Sequence, residues 1–441
     1  MDKFEIDALT ELNIGKSGQE MYELVEELYP ICRSITGNGV RKTLDIINRH
    51  IPVTLTEVPT GTEVFDWTVP KEWNINDAYI KNSRGEKIVD FRDSNLHVVN
   101  YSAPVKYSLT LEELKKRLHT IPAHPEWIPY VTSYYKEYWG FCISHSQFKA
   151  MEEDTYEVFI DSSLDNGSLT YGELCIEGET REEILLSTYL CHPSLCNDNL
   201  SGVVLLVQLA KLLQKRSNKY SYRFLFVPET IGAISWLYMN EEKLGNIKCG
   251  LVATCLGDSG ISTYKRSKRG NALIDIAVEK VLRDSGQEYK IMDFFPYGSD
   301  ERQYSSQGFN LDMGSLMRTP YGNYPEYHTS ADNMKIVSKG SLGDSLAKYV
   351  KAVYILENNK KYRNLNPKCE PQLGKRGIYE MLGGQKKEEQ LNEITMFWVL
   401  SLSDGTQSLL DIAVRSGMGF EQIKNGADIL YKAGLLCDCE M

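Results

Sequence analysis

The chain has 441 residues, 42% of them hydrophobic and 25% charged, with a formal net charge of −11. That apolar share is too high for a disordered chain, and the length suits roughly two to four domains with an ample core. An excess of acid over base argues against a generic phosphate-backbone binder, which needs many Lys and Arg contacts.

Two further exclusions follow from the termini and the apolar runs. The longest apolar run, around Val203–Leu213, is broken by Gln208 and Lys211, so no segment reaches the ~20 residues of a bilayer span. The start, Met1-Asp2-Lys3-Phe4-Glu5, lacks the basic and apolar regions of a signal peptide. A soluble, cytoplasmic protein is expected. The ten cysteines are scattered without a Cys-x-x-Cys pair, so most read as reduced, small apolar residues rather than disulfides or a structural zinc site.

In chain order, residues 18–50 read as helical, from the spacing of Met21, Leu24, Val25, Leu28 and Tyr29, with a second helical stretch after Asn38-Gly39. Val53–Val58 alternates as a strand. Residues 63–165 are rich in Trp, Tyr, Pro and Asn, with strand-like Lys87–Val89 and His97–Val99 and one helix-like piece, Leu109–His119. This stretch reads as a separate strand-rich insertion. From about residue 168 strands and helices alternate: Ile184–Tyr189, Tyr222–Val227 and Gly250–Cys255 as buried strands, Ser201–Leu213, Ile231–Asn240 and Gly270–Ser285 as helices. That rhythm predicts an α/β domain on a mainly parallel sheet, with functional groups beyond the strands' carboxyl ends. The last segment predicts three short helices (Met396–Leu400, Ser408–Ser416, Phe420–Ala433) and a closing strand, a winged-helix pattern. The predicted division is 1–62 with 166–362 as one α/β domain, 63–165 as a β-rich insertion and 363–441 as a winged helix.

Each strand is followed by a residue able to bind a metal or move a proton. Ile184–Tyr189 leads into His192 and Asp198, a pairing of imidazole and carboxylate that suits zinc, although Asp198 would also cap the following helix. Tyr222–Val227 leads into Glu229, a candidate general base or a first-turn Glu favoured by the helix dipole. Gly250–Cys255 leads into Asp258, and a third His, His328, precedes Asp332.

The order His, Asp-Asn-x-Ser-Gly, strand-Glu, strand-acid and Tyr-His-Thr-x-x-Asp resembles the zinc-dependent aminopeptidases of the zinc-exopeptidase clan, over roughly residues 18–61 and 168–355. More specifically, the chain resembles bacterial aminopeptidase-like proteins found with polysaccharide-biosynthesis genes, which carry an inserted domain and a C-terminal winged helix. The resemblance implies a three-layer α/β/α fold and metal binding by His192, Asp198 and His328, with Asp198 as bridge. It also implies Glu229 as catalytic base and a cis Asp198–Asn199 peptide. Two positions depart from the family pattern: Thr230 stands where a second Glu ligand is expected, and the fourth ligand position offers Cys255 or, three residues on, Asp258. One zinc is therefore favoured over two, with Asp258 a further candidate ligand.

Pro296–Arg302 resembles a family segment beside the site. Asp300 and Glu301 are candidate partners of a substrate ammonium group, and Arg302 and Arg318 of a carboxylate or sugar acid. The basic run Lys265–Arg269 is a candidate anion site. Four of the six tryptophans (Trp67, Trp73, Trp127, Trp139) fall in the insertion, available for sugar stacking or core packing. From Leu391 onward there are three basic and seven acidic residues, so the winged helix is not expected to read DNA. The leading expectation is a zinc aminopeptidase acting on a small peptide or amide. The alternatives are an amidase of polysaccharide metabolism and a non-catalytic binding protein. Neither a membrane nor a nucleic acid is an expected partner; a homo-oligomer is.

Overall fold

A computed structural model describes residues 13–378 and 387–439, so the opening Met1–Glu5 lies outside the described residues. The first helix, α1 (Ile14–Leu28), starts on an Asn13 cap and buries Met21, Leu24, Val25 and Leu28. After a break at 29–37, α2 spans Asn38–Asn48.

The chain then enters a sheet of eight strands: β1 (Thr54–Pro59), β2 (Ser168–Ile176), β3 (Glu183–Tyr189), β4 (Ser221–Val227), β5 (Ile247–Ala253), β6 (Ser262–Lys265), β7 (Tyr289–Met292) and β8 (Met313–Met317). Their order across the sheet is β1-β2-β4-β3-β5-β8-β6-β7. The central pairs β4/β3, β3/β5 and β5/β8 are parallel, as is β6/β7; β1/β2, β2/β4 and β8/β6 are antiparallel. Every residue of β3 is buried, which explains its unbroken apolar run: a central parallel strand is covered on both faces.

The connections are α3 (Ser201–Leu213), α4 (Ile231–Asn240) and α5 (Leu273–Asp284), followed by α6 (Lys339–Asn358). On one face α1, α2, α3, α5 and α6 share a large apolar cluster; on the other, α4 packs around Trp236 and Tyr304. The protein is a three-layer α/β/α sandwich on a mixed, mainly parallel sheet. Among the described residues, no helix is long and apolar enough to cross a membrane.

Residues 63–165 carry a four-stranded antiparallel sheet in the order Lys87–Asp90, Glu72–Lys81, Thr155–Asp165, Val105–Thr110. It has its own apolar cluster around Ile80, Phe141, Val158 and Ile160. Two local expectations need correction. Asn95–His97 is a 3₁₀ turn rather than part of a strand, opened by the Ser94 side chain accepting from the Leu96 amide. The helix predicted at Leu109–His119 is only Leu111–Lys115, because a Thr110–Glu113 capping box starts it late and Leu118–His119 pairs with Phe141–Cys142.

At the C-terminus, helices Lys387–Leu402, Leu409–Ser416 and Phe420–Lys432 accompany a three-stranded sheet of Asp404–Ser408, Lys361–Asn364 and Leu436–Cys439. The first two of those strands are too polar and short to show in the apolar pattern. The unit seats on the sandwich through Phe420 against Tyr354 and the Leu410 amide on Asn359 Oδ1.

Candidate metal centre and its pocket

The loops at the carboxyl ends of β3, β4 and β5 meet the loop before α6. The loop between β3 and α3 is built by the alternate residues of Asn197-Asp198-Asn199-Leu200-Ser201. Asn199 donates to Thr188 Oγ1 (2.9 Å) and the Ala253 carbonyl (3.0 Å) and accepts from the Cys255 amide. Asn197 accepts from the Gly257 amide and donates to Asp258 Oδ2 (3.0 Å), while Ser201 Oγ bonds the Asn197 carbonyl and the Leu256 amide. These bonds staple the loop to the end of β5 and leave Asp198, fully buried, pointing away from them. The Asp198–Asn199 peptide is cis.

Asp198, His192 and His328 present one ligand atom each, all within 4.8 Å of one another; among the described residues no other group of three qualifies. His328 Nε2 lies 2.9 Å and His192 Nε2 3.9 Å from Asp198 Oδ2. Despite that approach, Asp198 Oδ2 and His328 Nε2 are buried atoms with no aligned hydrogen bond. Such atoms are costly unless a cation completes them. Two imidazole nitrogens and a carboxylate are also the donor set of zinc sites that keep an open position. The residues fit a zinc ion.

The protonation states agree. Burial holds His192 down to about 4, against the pull of Asp198. Burial opposes ionisation of Asp198, but His192, His328 and the Tyr189 hydroxyl outweigh it and bring the carboxyl to about 2. A neutral imidazole beside an ionised carboxylate is the form that ligates a metal.

An outer shell fixes these groups. Tyr189 donates its hydroxyl to Asp198 Oδ1 and touches Thr254 Oγ1 at 2.7 Å. The buried Arg33 donates from Nε to the His192 carbonyl at 3.0 Å. Asp332 accepts from the amides of Cys196 (3.1 Å), Asn197 (2.6 Å) and Asp198 (3.0 Å). The insertion closes the other side: the Tyr130 amide donates to the His328 carbonyl (2.8 Å), and the Tyr130 ring stands edge-on to both His192 and His328.

Glu229, directly after β4, has Oε2 3.8 Å from His192 Nε2 and keeps 27% of its side chain open to a cavity of about 400 Å³. Burial, then the charges of Asp300 and Asp198, push its carboxyl well above the ordinary range. The cavity wall also holds Thr230, Trp67, Tyr134, Tyr135 and Arg302.

Residues 22–359 match the family described as "Domain of unknown function (DUF4910)", and residues 360–438 match a winged helix-turn-helix. The chain belongs to the DUF4910 family. A relative from Clostridium acetobutylicum is 62% identical over 424 residues, 96% of this chain and 97% of that one; its name couples polysaccharide biosynthesis with an aminopeptidase-like domain. A crystal structure from the same organism, named as a peptidase, has 60% identity and a TM-score of 0.93, covering 97% of this chain and 98% of that one. More distantly, a zinc aminopeptidase from Bacillus subtilis gives a TM-score of 0.58 at 11% identity, covering 78% of this chain and 95% of that one. A peptidase M28 precursor from Shewanella amazonensis gives 0.55 at 12%, covering 81% and 98%. At these identities the likeness is one of fold: this DUF4910 chain has an aminopeptidase-like architecture.

Within that architecture His192, Asp198, His328 and Glu229 come together, whereas other candidates do not join them. Asp258 Oδ1 accepts from the Thr319 hydroxyl (2.6 Å) and the Gly260 amide (2.6 Å), and Oδ2 accepts from Asn197 and the Thr319 amide. Its place is under the loop, not in the cluster. Cys255 is likewise buried, against Thr254 and Tyr324. Asp300 accepts from the Thr230 amide (2.7 Å) and Glu301 is buried against Lys265 Nζ (2.7 Å); of the Asp300–Arg302 trio only Arg302 lines the pocket. Arg318 pairs with Asp344, and within the basic run Arg266 pairs with Glu279 and Arg269 with Asp312. Sequence reasoning missed Arg33, Tyr130 and the holding role of Asp332; only Asp332 left a signal, as the last position of the Tyr-His-Thr-x-x-Asp stretch.

Proposed function

We propose that the protein is a metal-dependent hydrolase of peptide or related amide bonds, an aminopeptidase-like enzyme that uses zinc. One observation carries this reading: three ligand groups, two of them with unsatisfied buried atoms, converge beside a carboxylate, Glu229, that opens onto a substrate-sized cavity. His192, Asp198 and His328 would hold the ion, which when bound supplies Lewis acidity toward the scissile carbonyl and toward water. Glu229 takes a proton from the water that attacks the carbonyl carbon. It then delivers that proton to the departing nitrogen as the carbon–nitrogen bond breaks. Tyr189 and Arg33 hold Asp198 and His192 in place through this exchange, and the aromatic wall of Tyr130 and Tyr134 limits access of bulk water.

The same groups would serve an amidase acting on a sugar- or peptide-derived amide. That reading is favoured by the Clostridium relative's name and by Thr230, a neutral residue directly after Glu229. A zinc-supplemented screen of aminoacyl nitroanilides, short peptides and N-acyl amino sugars separates the two. Hydrolysis of any of these should fall by roughly 10²–10⁴-fold in Glu229→Gln with metal content unchanged. Full turnover by that variant would remove Glu229 from the role.

A further inference from the structure

Arg302 shares the pocket wall with His192, His328 and Glu229, yet its guanidinium is nearly idle. Its Nη2 makes one long contact, 3.4 Å to Thr230 Oγ1, and its Nε is sealed from solvent without a hydrogen-bond partner. Other half-buried arginines of the sandwich are held firmly: Arg223 by Glu183 at 2.5 Å, Arg266 by Glu279 at 2.6 Å, Arg318 by Asp344 at 2.6 Å. Of the neighbouring carboxylates, Asp300 accepts from the Thr230 amide and Glu301 from Lys265 Nζ, each through one oxygen, and neither makes an ion pair with Arg302 within 4.0 Å.

The rest of the wall points the same way. Glu229 is its single carboxylate, and the residue after it is the neutral Thr230. A ligand's ammonium group therefore finds no pair of acids here, whereas an anion finds an unpaired cation. The two Nη groups of a guanidinium offer two parallel N–H bonds that match the two oxygens of a carboxylate. Nε is sealed off from an incoming ligand as it is from water, so a carboxylate meets the Nη atoms, which are not sealed and carry only the long contact to Thr230. Trp67 and Tyr135, with rings 5.5 Å apart, flank the pocket as flat apolar walls for the ligand's carbon skeleton.

We propose that Arg302 is a specificity-determining residue that receives a carboxylate of the substrate, so that the amide cleaved at this centre belongs to an acidic compound. The cleavage rests on the hydrolase reading; the carboxylate site does not. An acidic amino-acid side chain and a sugar acid share the required chemistry.

The test has a binding arm and a turnover arm, both on the full-length protein with zinc added. By isothermal titration, glutarate and glucuronate are compared with uncharged glucose. At least one of the two acids should bind at least about tenfold more tightly than glucose. Which acid binds distinguishes an amino-acid from a sugar source. Arg302→Gln should lose that preference, and Arg302→Lys, which keeps the charge but not the fork, should keep only part of it. In turnover, the ratio of kcat/KM for glutamyl over leucyl nitroanilide should fall at least about tenfold in Arg302→Gln. Equal binding of acids and glucose by the wild type, or an unchanged preference in a folded Arg302→Gln, would overturn the proposal. Absence of all hydrolysis with carboxylate binding intact would sink the hydrolase reading and leave the carboxylate site standing.

Discussion

Asp332 accepts from three consecutive amides, those of Cys196, Asn197 and Asp198, and so fixes the direction of the Asp198 carboxylate. Removing it strands buried donors, each costing about 1–3 kcal/mol. Asp332→Ala should therefore lose about 3 kcal/mol in urea unfolding and bind zinc about 10–100-fold more weakly in a chelator competition. Asp332→Asn should lose less, since its remaining oxygen can keep the Cys196 and Asn197 amides while its nitrogen would face the Asp198 N–H. An Asn variant as stable and as tight as the wild type would show that the carboxylate charge is not what holds the loop. His192, Asp198 and Glu229 were legible in the sequence because each follows a strand marked by an apolar run. The work of Asp332 was not, because its partners lie 134–136 residues away.

At the scale of elements, the turn from loop to α3 depends on Gly202. A Cβ there would sit 2.3 Å from the Ala253 carbonyl oxygen and 2.7 Å from both Asn199 Oδ1 and Thr188 Oγ1, the groups that staple the loop. Gly202→Ala should cost about 1–3 kcal/mol by overpacking and loosen the metal ligands, read as a lower urea midpoint and weaker zinc binding. A second joint ties α2 and β1 to the insertion sheet: Arg41 bonds Glu72 at 2.7 Å through both Nη atoms and pairs with Glu57. The hydrogen bonds from Arg41 hold the Glu72 carboxyl down to about 2, against an ordinary 4.5. A depressed carboxyl stabilises the fold above its unfolded value and loses that contribution as pH falls through the folded one. The wild type should thus lose more stability between about pH 4.5 and 2 than Glu72→Gln does, measured by thermal unfolding across that range. Parallel curves for the two proteins would count against the joint. Central strands and α3 were legible from their periodicity. The short strands β6 and β7 at one end of the sheet were not, since four partly polar residues carry no usable pattern.

For the molecule as a whole, the winged-helix unit is continuous with the sandwich. Leu409, Ile412, Phe420 and Leu430 belong to the same apolar cluster as α1, α3, α5 and α6. Truncation after residue 359 should therefore expose apolar surface and lower the melting temperature, rather than release an intact sandwich. The surplus of acid from Leu391 onward predicts no salt-dependent shift of duplex DNA in a gel. Such a shift would restore a regulatory reading of the fold. The three-part organisation was visible as changes of composition, but the packing of the parts on one another was not.

The centre itself is tested most directly by the zinc content of the full-length protein purified without chelator. About one zinc per chain is expected in the wild type, with His192→Ala and His328→Ala each well below it. Fewer than about 0.3 zinc per chain in the wild type, unchanged by added zinc, would contradict a metal centre at His192, Asp198 and His328.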